Sequence, residues 1–154
     1  PRADCIENKE EFSTNTNWLK LLVEKGFSPE NIFLAGLRSY SSFEMAFLKK
    51  NKIKFLSMTP FLENLEDSCD ILMEFARNKE VCVSIDIGVI DPGFAPGVSI
   101  IEPGGFTSRE FIYLVQRINL LKNIKLIGIV GINPERDING MTSKLGAKIL
   151  SEFL

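Results

Sequence analysis

The sequence predicts an α/β fold in which helices layer on a mainly parallel sheet. Two observations carry this. Short β-branched or apolar runs alternate with longer segments of helical period, the order expected of a layered α/β domain. The 154 residues, 45% hydrophobic and 25% charged with a formal charge of -2, have ordinary globular composition and one domain's worth of core, which excludes two full domains.

The first helical segment follows the polar stretch 13–16 and carries Trp18, Leu19, Leu22 and Val23, with Gly26 placed as a C-terminal stop. A strand is predicted over 32–37. Ser41, with Glu44 three residues on, forms a capping box for a helix that buries Phe43, Ala46 and Phe47. The next strand, 53–58, is closed by Thr59-Pro60. A third helix over 62–77 lays Leu65, Leu72, Phe75 and Ala76 along one side. The strand that follows, 81–87, is apolar enough to be a central one buried on both faces. Residues 88–105 are too rich in Pro and Gly for helix or strand, and a long ordered loop of this kind is usually functional. Thr107 with Glu110 caps a helix whose Phe111, Leu114, Val115, Ile118 and Leu121 recur at the 3, 4 spacing. A strand over 124–132 ends at Asn133-Pro134, and Thr142 opens a last helix with Leu145, Ile149 and Phe153. Four strands and five helices account for almost the whole chain, with no internal repeat, low-complexity tract or linker.

Composition narrows the chemistry. There is no histidine, so this chain alone builds no Ser-His, Cys-His or His-ligated metal site. The three cysteines, Cys5, Cys69 and Cys82, are odd in number and widely spaced, which fits neither a disulfide framework nor a zinc knuckle, and reduced thiols in the cytoplasm are expected. The small acidic charge argues against nucleic acid as a partner. No apolar run is long enough to span a bilayer and no secretory pattern opens the chain, so a soluble cytoplasmic protein without membrane contact is expected. The first residue is Pro1 rather than Met, from which processing or an upstream segment is expected.

Ligands of open parallel sheets bind beyond the carboxyl ends of the strands. That places Arg38, Thr59, Asp86 with Asp91, and Asn133 as candidates. Asp86 stands out, because a carboxylate ending an apolar strand has to be paired, hydrogen-bonded or metal-bound. Its plainer reading is a strand-end aspartate that organises the following loop. Asp91-Pro92 reads as a loop start, and Pro103-Gly104-Gly105 as a turn, since it lacks the Lys and the full motif of a phosphate cradle. The helical aromatic stripes read as core. Cys82, inside a strand and without a basic neighbour, reads as buried rather than nucleophilic, and Cys69 and Cys5 also lack activating context.

The run Ser84-Ile85-Asp86-Ile87-Gly88-Val89-Ile90-Asp91-Pro92-Gly93-Phe94-Ala95-Pro96-Gly97 and the later Glu102-Pro103-Gly104-Gly105-Phe106-Thr107-Ser108-Arg109-Glu110 resemble the arginase/agmatinase (ureohydrolase) family. Its patterns are S-x-D-x-D-x-x-D-P-x-x-x-P-G and P-E-x-G-G-L-T-x-R-E. Leu34-Ala35-Gly36-Leu37-Arg38-Ser39 resembles its I-G-x-R-S strand end, Val130-Gly131-Ile132-Asn133-Pro134 its V-E-V-N-P, and Pro1-Arg2-Ala3-Asp4 the remnant of its D-A-H-x-D. The resemblance implies a three-layer α/β/α fold. It also implies a reaction in which two manganese ions, held by four aspartates and two histidines, share a hydroxide that attacks a guanidinium-type carbon.

Carried across by position, Asp4 and Asp86 keep two metal-ligand positions. Arg2 stands where the ligand histidine would be, Gly88 replaces the second aspartate of S-x-D-x-D, and Gly131 replaces a glutamate used near the substrate. Val98-Ser99-Ile100-Ile101 is apolar where the family has T-G-T-P. A guanidinium has only donors and cannot ligate a metal. The resemblance therefore implies loss of both manganese ions and no catalytic residue, with Arg2 pairing with Asp86 or Asp4 in place of the metals.

The functional expectation is a catalytically degenerate ureohydrolase-family protein with a structural or regulatory role in a homo- or hetero-oligomer. The alternative is a residual metal-dependent hydrolase of guanidino C–N bonds. A third reading, binding of a cationic ligand without turnover, is disfavoured by the missing carboxylate at 131. The resemblance reaches only the C-terminal half of a usual family member. Residues 1–154 are therefore expected to be the C-terminal part of a single arginase-like domain. An upstream segment or a partner subunit is expected to cover its strand edge and helix faces.

Overall fold

All four expected strands form, and they pair in parallel as two ladders. The computed structural model describes residues 17–154, in one unit that ends at Met58 and a second that spans Thr59–Leu154. Asp4, Arg2 and Cys5, with the expected pairing of Arg2, lie outside the described residues.

In the first unit α1 (Trp18–Glu24) is followed by β1 (Phe33–Leu37), α2 (Ser42–Lys50) and β2 (Lys54–Ser57). The stop expected at Gly26 is there: at φ +94 its N–H donates to Val23 O at 3.0 Å and that of Phe27 to Leu22 O at 3.1 Å. This pair of bonds closes the helix with a left-handed residue that glycine adopts without strain. The capping box of α2 is also present, with Ser41 Oγ accepting from Glu44 N and Glu44 Oε2 from Ser41 N.

The buried face of α2 differs from expectation. Leu48 and Glu44 are buried while Phe43 and Ala46 are exposed. The contact face runs through 44, 47 and 48, and Phe43 falls off it by one step of the helical turn. Leu19, Ile32, Leu37, Leu48 and Ile53 make the core between the two strands and their helices.

The second unit holds α4 (Leu65–Ala76), β3 (Val81–Asp86), α5 (Ser108–Ile118), β4 (Ile124–Val130) and α6 (Met141–Ser151), preceded by a short α3 (Met58–Glu63). The described residues thus contain six α-helices where five were expected, because the segment predicted as one helix over 62–77 is broken at Asn64. Asn64 Oδ1 accepts from Asp67 N at 3.1 Å and starts α4 afresh. Thr59-Pro60 lies in the first turn of α3 rather than ending a strand; a proline there costs no helical hydrogen bond.

Helices α4 and α5 meet through Arg117 and Asp70 and through Tyr113 Oη, which donates to Glu66 at 2.9 Å. Helix α6 joins α5 through Gln116 and Asn119, both donating to Glu152. Phe106, Ile87, Ile90, Val115 and Ile149 are essentially inaccessible, and Phe106 stacks edge-on with Phe61 at 5.2 Å.

Strand β3 is not buried on both faces. Its residues alternate, with Cys82 and Ser84 exposed and Ile85 buried. One face of the β3–β4 ladder, where Cys82 pairs with Leu126 and Asp86 with Val130, is open, and Leu126 and Val130 are 61% and 53% exposed. The predicted burial of Cys82 is corrected accordingly: its side chain points to the uncovered face.

Candidate functional site

Parallel pairing brings the carboxyl ends of β3 and β4 together, so Asp86 stands opposite Val130. Gly131 follows at φ +86. Asp86 is half-buried, and its Oδ1 accepts from Gly88 N at 2.9 Å, capping the single 3-10 turn Ile87–Val89. The carboxylate is a hydrogen-bonded strand end that organises the next loop, the plainer of the two readings open from sequence.

The loop 88–105 is held by a second carboxylate. Asp91 Oδ1 accepts from Gly93 N at 2.9 Å, and Asp91 Oδ2 from Gly104 N at 2.8 Å. The backbone N–H at Gly104 does bind an anion, and the anion is the chain's own Asp91. A bridge from Ile90 to Phe106 closes the base of the same loop.

Asn133, after β4, accepts through its side-chain Oδ1 from Glu135 N at 3.0 Å and donates through Nδ2 to Ser99 Oγ at 3.3 Å. Its own N–H donates to Gly97 O at 2.8 Å. Arg136 reaches Ser99 O at 2.9 Å. These bonds pin the apolar segment 98–101 against the end of β4, with Ile100 and Ile101 exposed.

Sequence reasoning missed Asp137. Its carboxylate accepts from Thr142 N, Ser143 N and Ser143 Oγ at 2.7 to 2.9 Å and so caps α6. The Ser143 hydroxyl first, then the two backbone N–H groups, hold its carboxyl down to about 2. Thr142 is therefore not the cap: it lies inside α6, buried, and its Oγ1 accepts from Gly97 N at 2.7 Å. The signal was hidden because Asp137 caps from five and six residues away, across the turn 138–140, outside the three-residue spacing of a capping box.

Asp86, Asp91 and Asn133 thus share the second unit, while Arg38 belongs to the first and Thr59 is an exposed residue of α3. Cys69 is buried in α4, where burial pushes its thiol up to about 11; this is an inert thiol.

Two manganese ions need several carboxylate or imidazole ligands converging on one point. Among the described residues no three His, Cys, Asp or Glu side chains gather in that way. Asp86 itself is engaged by Gly88, with glycine at both flanking positions, 88 and 131. The described residues do not by themselves fit a two-manganese centre.

A sequence model described as the Arginase family matches residues 3–154. The chain is 30% identical over 97% of its length to a mitochondrial arginase 1 of Arabidopsis thaliana, and 32% identical over 82% to an agmatinase of Bacillus subtilis. It covers 42% of each of those proteins, so it spans less than half the length of these curated relatives. Among solved structures it superimposes on a formimidoylglutamase from Bacillus subtilis with a TM-score of 0.86, over 99% of this chain and 49% of that one, at 23% identity. It superimposes on an arginase from the same species with a TM-score of 0.83 at 22% identity. At those identities the structural likeness speaks for the fold alone.

Proposed function

Because the chain belongs to the arginase family, in which manganese is the usual cofactor, we propose that it is a catalytically degenerate ureohydrolase whose role is structural or regulatory within an oligomer. The observation that carries this reading is at the end of β3. Glycine stands at 88 and 131, where the family pattern has acids, and Asp86 beside them is spent on a backbone N–H. Arg2 in place of a ligand histidine, in a sequence without any histidine, adds a cation where a metal would need a donor. Losing several ligands of one centre removes metal affinity far more than losing one.

The remainder of an arginase-type domain, on this chain or on a partner subunit, is the partner that suits the open face of β3 and β4. The share of the relatives' length that the chain spans, 42%, supports that choice, and residues 1–154 are then the C-terminal part of one domain working in the cytoplasm.

The test is elemental analysis of the full protein purified with manganese present, together with urea release from arginine and agmatine. Well under one manganese per chain and no urea are expected; two manganese ions per chain with urea release would sink the proposal. The second reading, residual hydrolysis of guanidino C–N bonds, draws its support from the amidino-hydrolysing relatives that are named arginase and agmatinase. The same assay separates the two.

A further inference from the structure

The Asp86 carboxylate sits in room left by two glycines. A Cβ at Gly88 would lie 3.2 Å from Asp86 Oδ1, and a Cβ at Gly131 would lie 2.5 Å from that oxygen and 3.5 Å from Asp86 Cγ. The second distance is far inside van der Waals contact, so position 131 accepts no side chain while Asp86 keeps this rotamer. Position 131 is also left-handed, at φ +86, where a Cβ is strained in any case. Asp86 is not free to swing aside at no cost, because its Oδ1 holds the Gly88 N–H that starts the turn Ile87–Val89.

We infer that Asp86, Gly88 and Gly131 are one coupled unit, in which the Asp86 carboxylate locks the end of β3 and fills the volume that an acid at 131 would need. The mismatch with a manganese pair is then more than a count of missing ligands. Restoring glutamate at 131 alone collides with Asp86, an aspartate that a metal would have to recruit, so it destabilises the chain without raising manganese affinity. This inference rests on the geometry around Asp86 and not on the proposed loss of activity, so either can fail alone.

A double-mutant cycle in the full chain tests it. Gly131→Ala in the wild type suffers both left-handed strain and the collision. In an Asp86→Ala background only the strain remains, since the nearest neighbour left is Ile87 Cγ2 at 3.8 Å, an ordinary contact. The strain is common to both arms and cancels.

The fall in melting temperature on Gly131→Ala is expected to be larger in the wild type by roughly 3 °C or more. Equal falls in the two backgrounds overturn the inference. Where neither alanine variant folds, hydrogen exchange at Gly88 reads the same lock: slow exchange in the wild type is expected, and fast exchange there overturns it. Manganese titration of Gly131→Glu, followed by the electron paramagnetic resonance of the free ion, is expected to match the wild type; binding tighter by about tenfold or more would show that Asp86 does not block the site.

Discussion

At the scale of single residues, the site region is organised by carboxylates that serve the backbone. Asp86, Asp91 and Asp137 each accept from N–H groups of a following turn or helix. For Asp137 this has a pH consequence. Its folded value, about 2, lies below the ordinary 3.8, so its contribution to stability is complete above the unfolded value and is lost as pH falls through the folded one. Denaturant midpoints of the wild type should therefore fall as pH is lowered from about 4 to about 2, and Asp137→Asn should flatten that part of the profile. A thiol makes a second residue-scale prediction. Buried Cys69, its thiol pushed up to about 11, should resist alkylation at neutral pH in the native protein and label at once in denaturant, as mass spectrometry of the peptide over α4 would record. Asp86 was legible in the sequence as a residue needing a partner, because an ionised group ending an apolar strand announces its own cost. Which partner it takes was not legible, since the answer lies in the rotamer and in the empty space over Gly131.

At the scale of elements, the caps decide where helices begin. Thr107 Oγ1 accepts from Glu110 N while Glu110 Oε2 accepts from Thr107 N at 2.8 Å, and Thr107→Ala should cost about 1 kcal/mol in chemical denaturation, with Thr107→Ser close to wild type. Asn64→Ala should cost a similar ~1 kcal/mol by the same measurement, because it removes the acceptor that restarts α4 after α3. The two capping boxes were readable because their partners sit three residues apart in the sequence. The break at Asn64 was not, because the apolar period runs on through it and only the side-chain bond to Asp67 marks a new start. The same logic explains α2. The capping box marked a helix there, but the face was set by packing of Leu48 against Leu19, Ile32 and Ile53, which no local pattern encodes.

At the scale of the whole molecule, what stands out is the uncovered side of the β3–β4 ladder. Strand alternation puts Cys82 and Ser84 of β3 on that side, and register sets Leu126 and Gly128 of β4 beside them. Leaving Leu126 and Val130 half or more exposed forgoes burial worth about 25 cal/mol per Å² of apolar surface. The apolar run of β3 predicts burial on both faces, and alternate residues of the strand are exposed instead. Cys82 lies on this face and reports on it directly. If the remainder of an arginase-type domain covers the ladder, alkylation of Cys82 should be fast in the 154-residue chain and slower by more than about tenfold once that remainder is present, because reagent access then requires local opening. Leu126→Lys should act in the same direction: little change in the stability of the short chain, where the side chain is already in water, and a clear loss in the assembled protein, where a charge would be buried without a partner. Equal Cys82 rates in the two settings, measured by quenched alkylation and mass spectrometry, would mean that the face stays open and that the partner binds elsewhere.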